Sequence, residues 1–190
     1  MASVNEILAQ LQSASNKIES VIRRVLDFSR PSEPRFIRTN INHPIKEAID
    51  LSSVTLRKTG ISIDILLAPN LPLCDADPSL IVQVILNLIT NAAEAMKNMD
   101  GRKIIDIASS VEHEHIVVTI CDSGPGVPFH LRKRVFDPFF TTKDNSTGIG
   151  LSLSHRIVSD HGGSLTVSDS RWGGAAFAIR IPARETENPG

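Results

Sequence analysis

Asn87 and Asn91 stand four positions apart at the end of an apolar stretch, and three further motifs follow them in a set order. These are Asp122-Ser123-Gly124-Pro125-Gly126, then Phe136-Asp137-Pro138-Phe139-Phe140, then Thr147-Gly148-Ile149-Gly150-Leu151. Any one of them is common. Together they require a helix carrying both amides on one face, a turn at Asp122, an aromatic loop, and a second helix opening at the Gly148/Gly150 pair.

The elements around these motifs read as an α+β sandwich. Asp77-Pro78 predicts the start of a long helix to about Met99, with Asp77 as N-cap and Pro78 in the first helical position. A helix is expected over Pro44–Lys58, ending before Gly60, and another over Thr147–His161, stopped by Gly162-Gly163. Alternation predicts strands over Ile61–Ile65, Lys103–Val111 and Ile116–Cys121, and a last hairpin of Leu165–Val167 and Ala175–Ile181. The expected sheet is mixed and mainly antiparallel, with helices on one face.

Upstream, Ile7, Leu11, Ala14, Ile18, Val21, Val25 and Phe28 alternate in steps of four and three, the rhythm of a bundle or coiled-coil seam. Pro31 and Pro34 end that helix. The chain therefore divides into a helix in 1–30, a linker at 31–40, a domain at 41–184 and a disordered tail at 185–190. The alternative is a helix that lies on its own domain.

Composition narrows the setting. A net charge of −1 gives no footprint for nucleic acid. The apolar run Leu80–Ile89 is broken by Gln83 and Asn87 and is too short to span a bilayer, and no signal segment opens the chain. Cys74 and Cys121 lack metal-site spacing and read as reduced residues. A cytoplasmic protein without direct membrane contact is expected.

The motifs carry their own chemistry. Two uncharged amides on a rigid helix suit Mg²⁺, which keeps several waters and shares phosphate oxygens; by themselves they also fit an ordinary helix surface. A carboxylate at Asp122 can accept a hydrogen bond from the adenine amino group, where guanine presents a carbonyl, which favours ATP over GTP. Standing alone, it is equally an Asp-x-Gly turn. Phe136, Phe139 and Phe140 read as a satellite core or a lid. Lys143 is placed to meet a β- or γ-phosphate as a point charge, or to be solvated. Backbone N–H groups at Gly148–Leu151 can bind phosphate at a helix N-terminus.

In that order, the four motifs resemble the ATP-binding domain of sensor histidine kinases, within the gyrase, mismatch-repair and kinase superfamily. The resemblance runs from about Leu11 to Pro182. Thr141-Thr142-Lys143 and the brief lid after it are most similar to kinases of the nitrogen-regulatory type. The fold implied is the Bergerat ATP-binding fold.

The resemblance implies a direct Mg²⁺ ligand at Asn91, with catalytic support from Asn87 and Lys143. It implies ATP contacts from Asn87, Asn91, Asp122, Gly124, Gly126, Val127, Lys143, Thr147, Gly148, Ile149, Gly150 and Leu151. Related ATPases carry a glutamate where this chain has Asn87, so water attack is poorly assisted here. A serine, which would be strained at positive φ, stands at 146 in place of the family's usual glycine.

The helix 3–28 matches the second helix of the family's dimerisation bundle, implying a parallel homodimer and a response regulator receiver domain as partner. None of the six histidines has the acidic neighbour and following proline of a phosphoacceptor. The acceptor is therefore expected upstream, on a helix the chain lacks. The competing readings are a same-superfamily ATPase or serine kinase, and a non-catalytic dimerisation scaffold.

Overall fold

In the computed structural model, which describes Leu8, Gln12, 33–143 and 146–184, Asp77 starts the central helix as its sequence context predicts. Its Oδ1 accepts from the amides of Ser79 at 3.0 Å and Leu80 at 3.2 Å, with Pro78 in the first turn. Helix 3–28 and the tail 185–190 lie outside the described residues, except that Leu8 and Gln12 are helical and exposed.

Among the described residues from 33 on, seven strands and three α-helices follow in the order β1 (Ile37–Thr39), α1 (Asn42–Lys58), β2 (Ile61–Leu67), β3 (Cys74–Ala76), α2 (Pro78–Ala95), β4 (Lys103–Glu112), β5 (His115–Asp122), α3 (Gly150–Asp160), β6 (Ser164–Asp169) and β7 (Ala175–Pro182). The main sheet has the order β2-β4-β5-β7-β6. Only β2 and β4 are parallel; the other neighbours are antiparallel.

Period-two alternation decides which face is covered. Ile105, Ile107, Val118, Ile120, Phe177, Ile179 and Leu165 share one face in register and are buried with the helices. From α2, Ile81, Val84, Ile85, Leu88 and Ile89 are buried in the same core. Each such side chain contributes about 1.5–3 kcal/mol by burial. This fixes the rotation of α2 and turns its polar edge outward. By length and mean hydropathy, 18 residues at 1.2, α2 also meets the requirements of a membrane span, although the apolar run within it is shorter. Its buried stripe is the sandwich core, which accounts for that apolarity.

Three boundaries differ from expectation. Residues 37–39, expected in the linker 31–40, form β1 and pair with β3 in a separate two-stranded sheet. Thr39 Oγ1 donates to the Ile37 carbonyl at 2.9 Å, and the Arg35 amide donates to Asp77 Oδ2 at 2.9 Å. Helix α2 ends at Ala95 rather than near Met99. The Lys97 amide bonds to Glu94 O and the Met99 amide to Met96 O, tightening the chain into turns. Helix α3 starts at Gly150 instead of Thr147, because Gly148 adopts φ +66°, which no right-handed helix accommodates.

The far end of α3 closes as expected. Gly162 has φ +68°, its amide bonds to Ser159 O at 2.9 Å, and the Gly163 amide bonds to Val158 O at 2.9 Å. His161, at the cap, is buried. Its Nε2 accepts from the Asp77 amide at 3.0 Å, so Nδ1 carries the proton donated to Ile157 O at 2.7 Å. One imidazole thus joins the end of α3 to the start of α2.

Candidate functional site

With its apolar stripe buried, α2 presents Gln83, Asn87, Asn91 and Glu94 along one side of a cavity of about 600 Å³. That volume suits a nucleotide-sized ligand. The opposite walls come from Asp122, the loop carrying Phe140 to Lys143, the first turns of α3, and Ala175 and Phe177 of β7. All four sequence motifs therefore meet at a single cavity.

Asn87 is held tightly. Its Nδ2 donates to Ser154 Oγ on α3 at 2.9 Å, and a Cβ added at Gly150 would run into its Oδ1. Glycine at 150 is thus a packing requirement. Asn91 differs: its Nδ2 is buried and has no hydrogen-bond partner among the described residues. Which amide atom is nitrogen is an assignment. The orphaned position is therefore either a donor facing phosphate oxygen or, rotated, an acceptor facing a cation. Both options fit a Mg²⁺-phosphate ligand, and an unpartnered buried amide costs about 1–3 kcal/mol without one.

Asp122 ends β5 and is buried. Its Oδ1 accepts from the Gly124 amide at 2.7 Å and the Ala175 amide at 3.1 Å. Oδ2 has no protein partner among the described residues, and the residue lines the cavity. Burial pushes this carboxyl above its ordinary range, offset in part by the Ala175 and Gly124 amides and by the Lys143 charge. The two amides steer the carboxylate without consuming its second oxygen.

The glycines around it have distinct roles. Gly126 adopts φ +75° and lies against the Gly174 backbone, where a Cβ would come within 3.3 Å of Gly174 O. A Cβ at Gly124 would come within 2.8 Å of Asp122 Oδ1 and 3.3 Å of Ala95 Cβ. Gly124 therefore stands behind the cavity wall, and its contribution is the amide on Asp122. Val127 is on the wall, and its carbonyl accepts from Arg132 Nε at 3.2 Å.

The aromatic loop does not form one cluster. Phe136 packs on the core and lies 5.2 Å from the His155 ring. Phe140 lines the cavity, with the Arg134 guanidinium 4.7 Å from its centroid. Phe139 is 64% exposed and adopts φ +66°, held there by its amide bond to Gly148 O at 3.0 Å. Such backbone strain in a non-glycine residue persists only where neighbours enforce it.

Lys143 reaches across the mouth of the cavity, where its Nζ meets Glu94 Oε2 at 2.9 Å. Thr147, Gly148, Gly150 and Leu151 are on the wall. Ile149 is not on the wall: its side chain is buried in the interior, and its carbonyl accepts from Ser152 Oγ at 2.8 Å and the Leu153 amide at 2.9 Å. An isoleucine beside two glycines is the residue that anchors the turn in the core. Ser146, at the position where the family usually has glycine, shares a hydrogen bond with the Thr141 hydroxyl.

Sequence reasoning missed Glu94, Ser154, Gly174 and Ala175. Glu94 lies two helical turns beyond Asn87, a spacing that placed it on the same face. The Gly173-Gly174 pair signalled a close backbone approach, but nothing local said that Asp122 was what it approached.

The wider comparisons agree with this geometry. The family described as histidine kinase-, DNA gyrase B-, and HSP90-like ATPase matches residues 76–185. The signal transduction histidine-protein kinase AtoS of Escherichia coli (strain K12) is 33% identical over 187 residues, covering 96% of this chain and 30% of AtoS. The chain spans between 23% and 39% of the length of that protein and other curated relatives it matches. Among solved structures, the catalytic domain of histidine kinase ThkA superposes with a TM-score of 0.70 at 34% identity, covering 78% of this chain and 96% of that one. ThkA in complex with the response regulator protein TrrA gives a TM-score of 0.79 at 27% identity, covering 96% of this chain and 52% of that one. With four ordered motifs converging on a nucleotide-sized cavity under this sheet, the chain belongs to the histidine kinase-, gyrase B- and HSP90-like ATPase family and contains a histidine kinase ATP-binding catalytic domain.

Proposed function

We propose that this cavity holds Mg²⁺-ATP and directs its γ-phosphate to a histidine on an acceptor helix outside this chain, for relay to a response regulator. The observation that carries the reading is the asymmetry of Asp122: one oxygen is satisfied by two backbone amides and the other is left for a ligand. An adenine 6-amino group is a donor that fits that oxygen. A guanine carbonyl would be repelled by it.

Asn91 is the proposed Mg²⁺ ligand, since its orphaned buried amide is the group a cation-phosphate pair would satisfy. Mg²⁺, when bound, neutralises charge on the phosphates. Asn87, fastened to Ser154, keeps its amide oxygen beside Gly150 at the start of α3. An amide is no general base at neutral pH, so Asn87 does not activate water, and the γ-phosphate is kept for the protein acceptor. Lys143 would exchange Glu94 for a phosphate oxygen, and the backbone of Gly148 to Leu151 would line the phosphate path.

Of the histidines, His161 has both ring nitrogens engaged and is excluded as an acceptor by its bonds. His43, His113, His130 and His155 are exposed but lie outside the cavity lining. Self-association through helix 3–28 is proposed on its seven-membered apolar seam. A cytoplasmic location is proposed on the ATP requirement.

Incubation with radiolabelled ATP, Mg²⁺ and a separate acceptor-helix protein tests this. Acid-labile phosphate on the acceptor and none on the chain is the expected outcome. Acid-stable phosphoserine would identify a serine kinase, free phosphate alone an ATPase, and no turnover a scaffold. Acid-labile label on the chain itself would show that one of its own histidines is the acceptor.

A further inference from the structure

Asp106 is a buried carboxylate that the nucleotide reading leaves without a role. It lies on β4 directly opposite Cys121 of β5, the residue next to Asp122, but on the face of the sheet away from the helices. Its Oδ2 meets Arg171 Nη2 at 2.6 Å; the Asp106 side chain is 11% exposed and that of Arg171 66%. Arg171 belongs to the turn joining β6 to β7. This turn closes on itself: the Ser170 amide donates to Gly174 O at 2.8 Å, the Gly173 amide to Ser170 O at 3.0 Å, and the Trp172 amide to Ser170 Oγ at 3.1 Å. The Arg171 guanidinium also lies 5.0 Å from the centroid of the Trp172 ring.

The same turn forms the back of the Asp122 site. A Cβ at Gly174 would fall on Asp122 Oδ1 and its carbonyl, and the Ala175 amide is one of the two donors that fix Oδ1. We propose that the Asp106–Arg171 ion pair is a positioning device for base recognition, pinning the Ser170–Gly174 turn so that Ala175 holds Asp122 Oδ1 and leaves Oδ2 for the 6-amino group. Asp106 and Arg171 act through Ala175 and touch no nucleotide. The proposal rests on the adenine assignment of Asp122. Its chemistry is geometric: without the pin, Ala175 moves off Oδ1, the carboxylate rotates, and discrimination for the amino group falls before general affinity does.

The test compares ADP with purine riboside diphosphate, which lacks the 6-amino group, by calorimetry on the full chain. Wild type should prefer ADP by roughly tenfold or more, the value of a charge-assisted hydrogen bond. In Arg171→Ala, an exposed site chosen to leave folding intact, that preference should fall about fivefold, with little change for the analogue. Arg171→Lys should restore part of it. Asp106→Asn and the Asp106→Asn/Arg171→Ala double variant should lose no more than the single change, since both break one pair. An unchanged preference in Arg171→Ala overturns the proposal, as does equal weakening of both ligands, which marks a structural pair. A wild-type protein binding both ligands equally overturns the adenine assignment itself, and with it this inference.

Discussion

The amide of Ala175 donates to Oδ1 of Asp122 at 3.1 Å from a strand 53 residues further along the chain. With the Gly124 amide on the same oxygen, Asp122 is oriented by backbone alone. An Asp122→Asn variant keeps an oxygen in that position and so retains both bonds, but presents NH₂ where the ligand needs an acceptor. Affinity for ADP is expected to fall by about tenfold to a hundredfold, the worth of a hydrogen bond to a charged group. The midpoint of thermal unfolding should not fall. An unchanged dissociation constant in calorimetry would reject the assignment.

The pH dependence separates two effects with opposite signs. Burial raises the Asp122 carboxyl above its ordinary value of 3.8. As pH falls through that raised value, the ligand-facing carboxylate is lost, so ADP affinity should decline earlier than for an exposed aspartate. The native state also binds this proton more tightly than the unfolded chain does. Asp122 alone therefore favours the nucleotide-free fold as pH falls from the raised value toward 3.8. Calorimetric titration at stepped pH should show the affinity loss in wild type and a flat response in Asp122→Asn.

Lys143 is paired with Glu94 at 2.9 Å. Both side chains are more than a third exposed, so the pair is worth at most about 1 kcal/mol after solvent screening. Glu94→Gln should free Lys143 for phosphate and raise ADP affinity by up to about fivefold at low salt, with the gain shrinking as salt rises. Lys143→Ala should weaken binding. If Glu94→Gln weakens binding instead, the carboxylate contributes to the occupied site.

Gly150→Ala places a methyl group against Asn87 Oδ1. Overpacking of this kind costs about 1–3 kcal/mol. The variant should lower the unfolding midpoint and weaken nucleotide binding by displacing Asn87 from Ser154. Ser154→Ala should reproduce a milder form of both effects. Unaltered denaturation curves for Gly150→Ala would show that the contact relaxes freely.

The seam from Ile7 to Phe28 predicts self-association that Val21→Glu should disrupt. Sedimentation at micromolar concentration is the measurement. A monomer in both proteins would remove the dimer from the proposed function.

Local sequence was sufficient for the elements, because their signals are local. Asp77-Pro78 specifies a helix start by capping, Gly162-Gly163 specifies a helix end by permitting positive φ, and alternation in β4, β5 and β7 specifies which side chains face the core. The ordered motifs also specified the type of site, since they bring amides, a carboxylate, a lysine and backbone donors to one fold. Tertiary structure decided everything that depends on an approach between distant segments. That includes β1 pairing with β3, Ile149 turning into the core while its glycine neighbours line the cavity, Lys143 meeting Glu94, and Gly174 lying on Asp122. Periodicity records which face of an element is apolar. It carries no information about which polar atom across the cavity will be within 3 Å, because that distance is set by how the helices pack on the sheet.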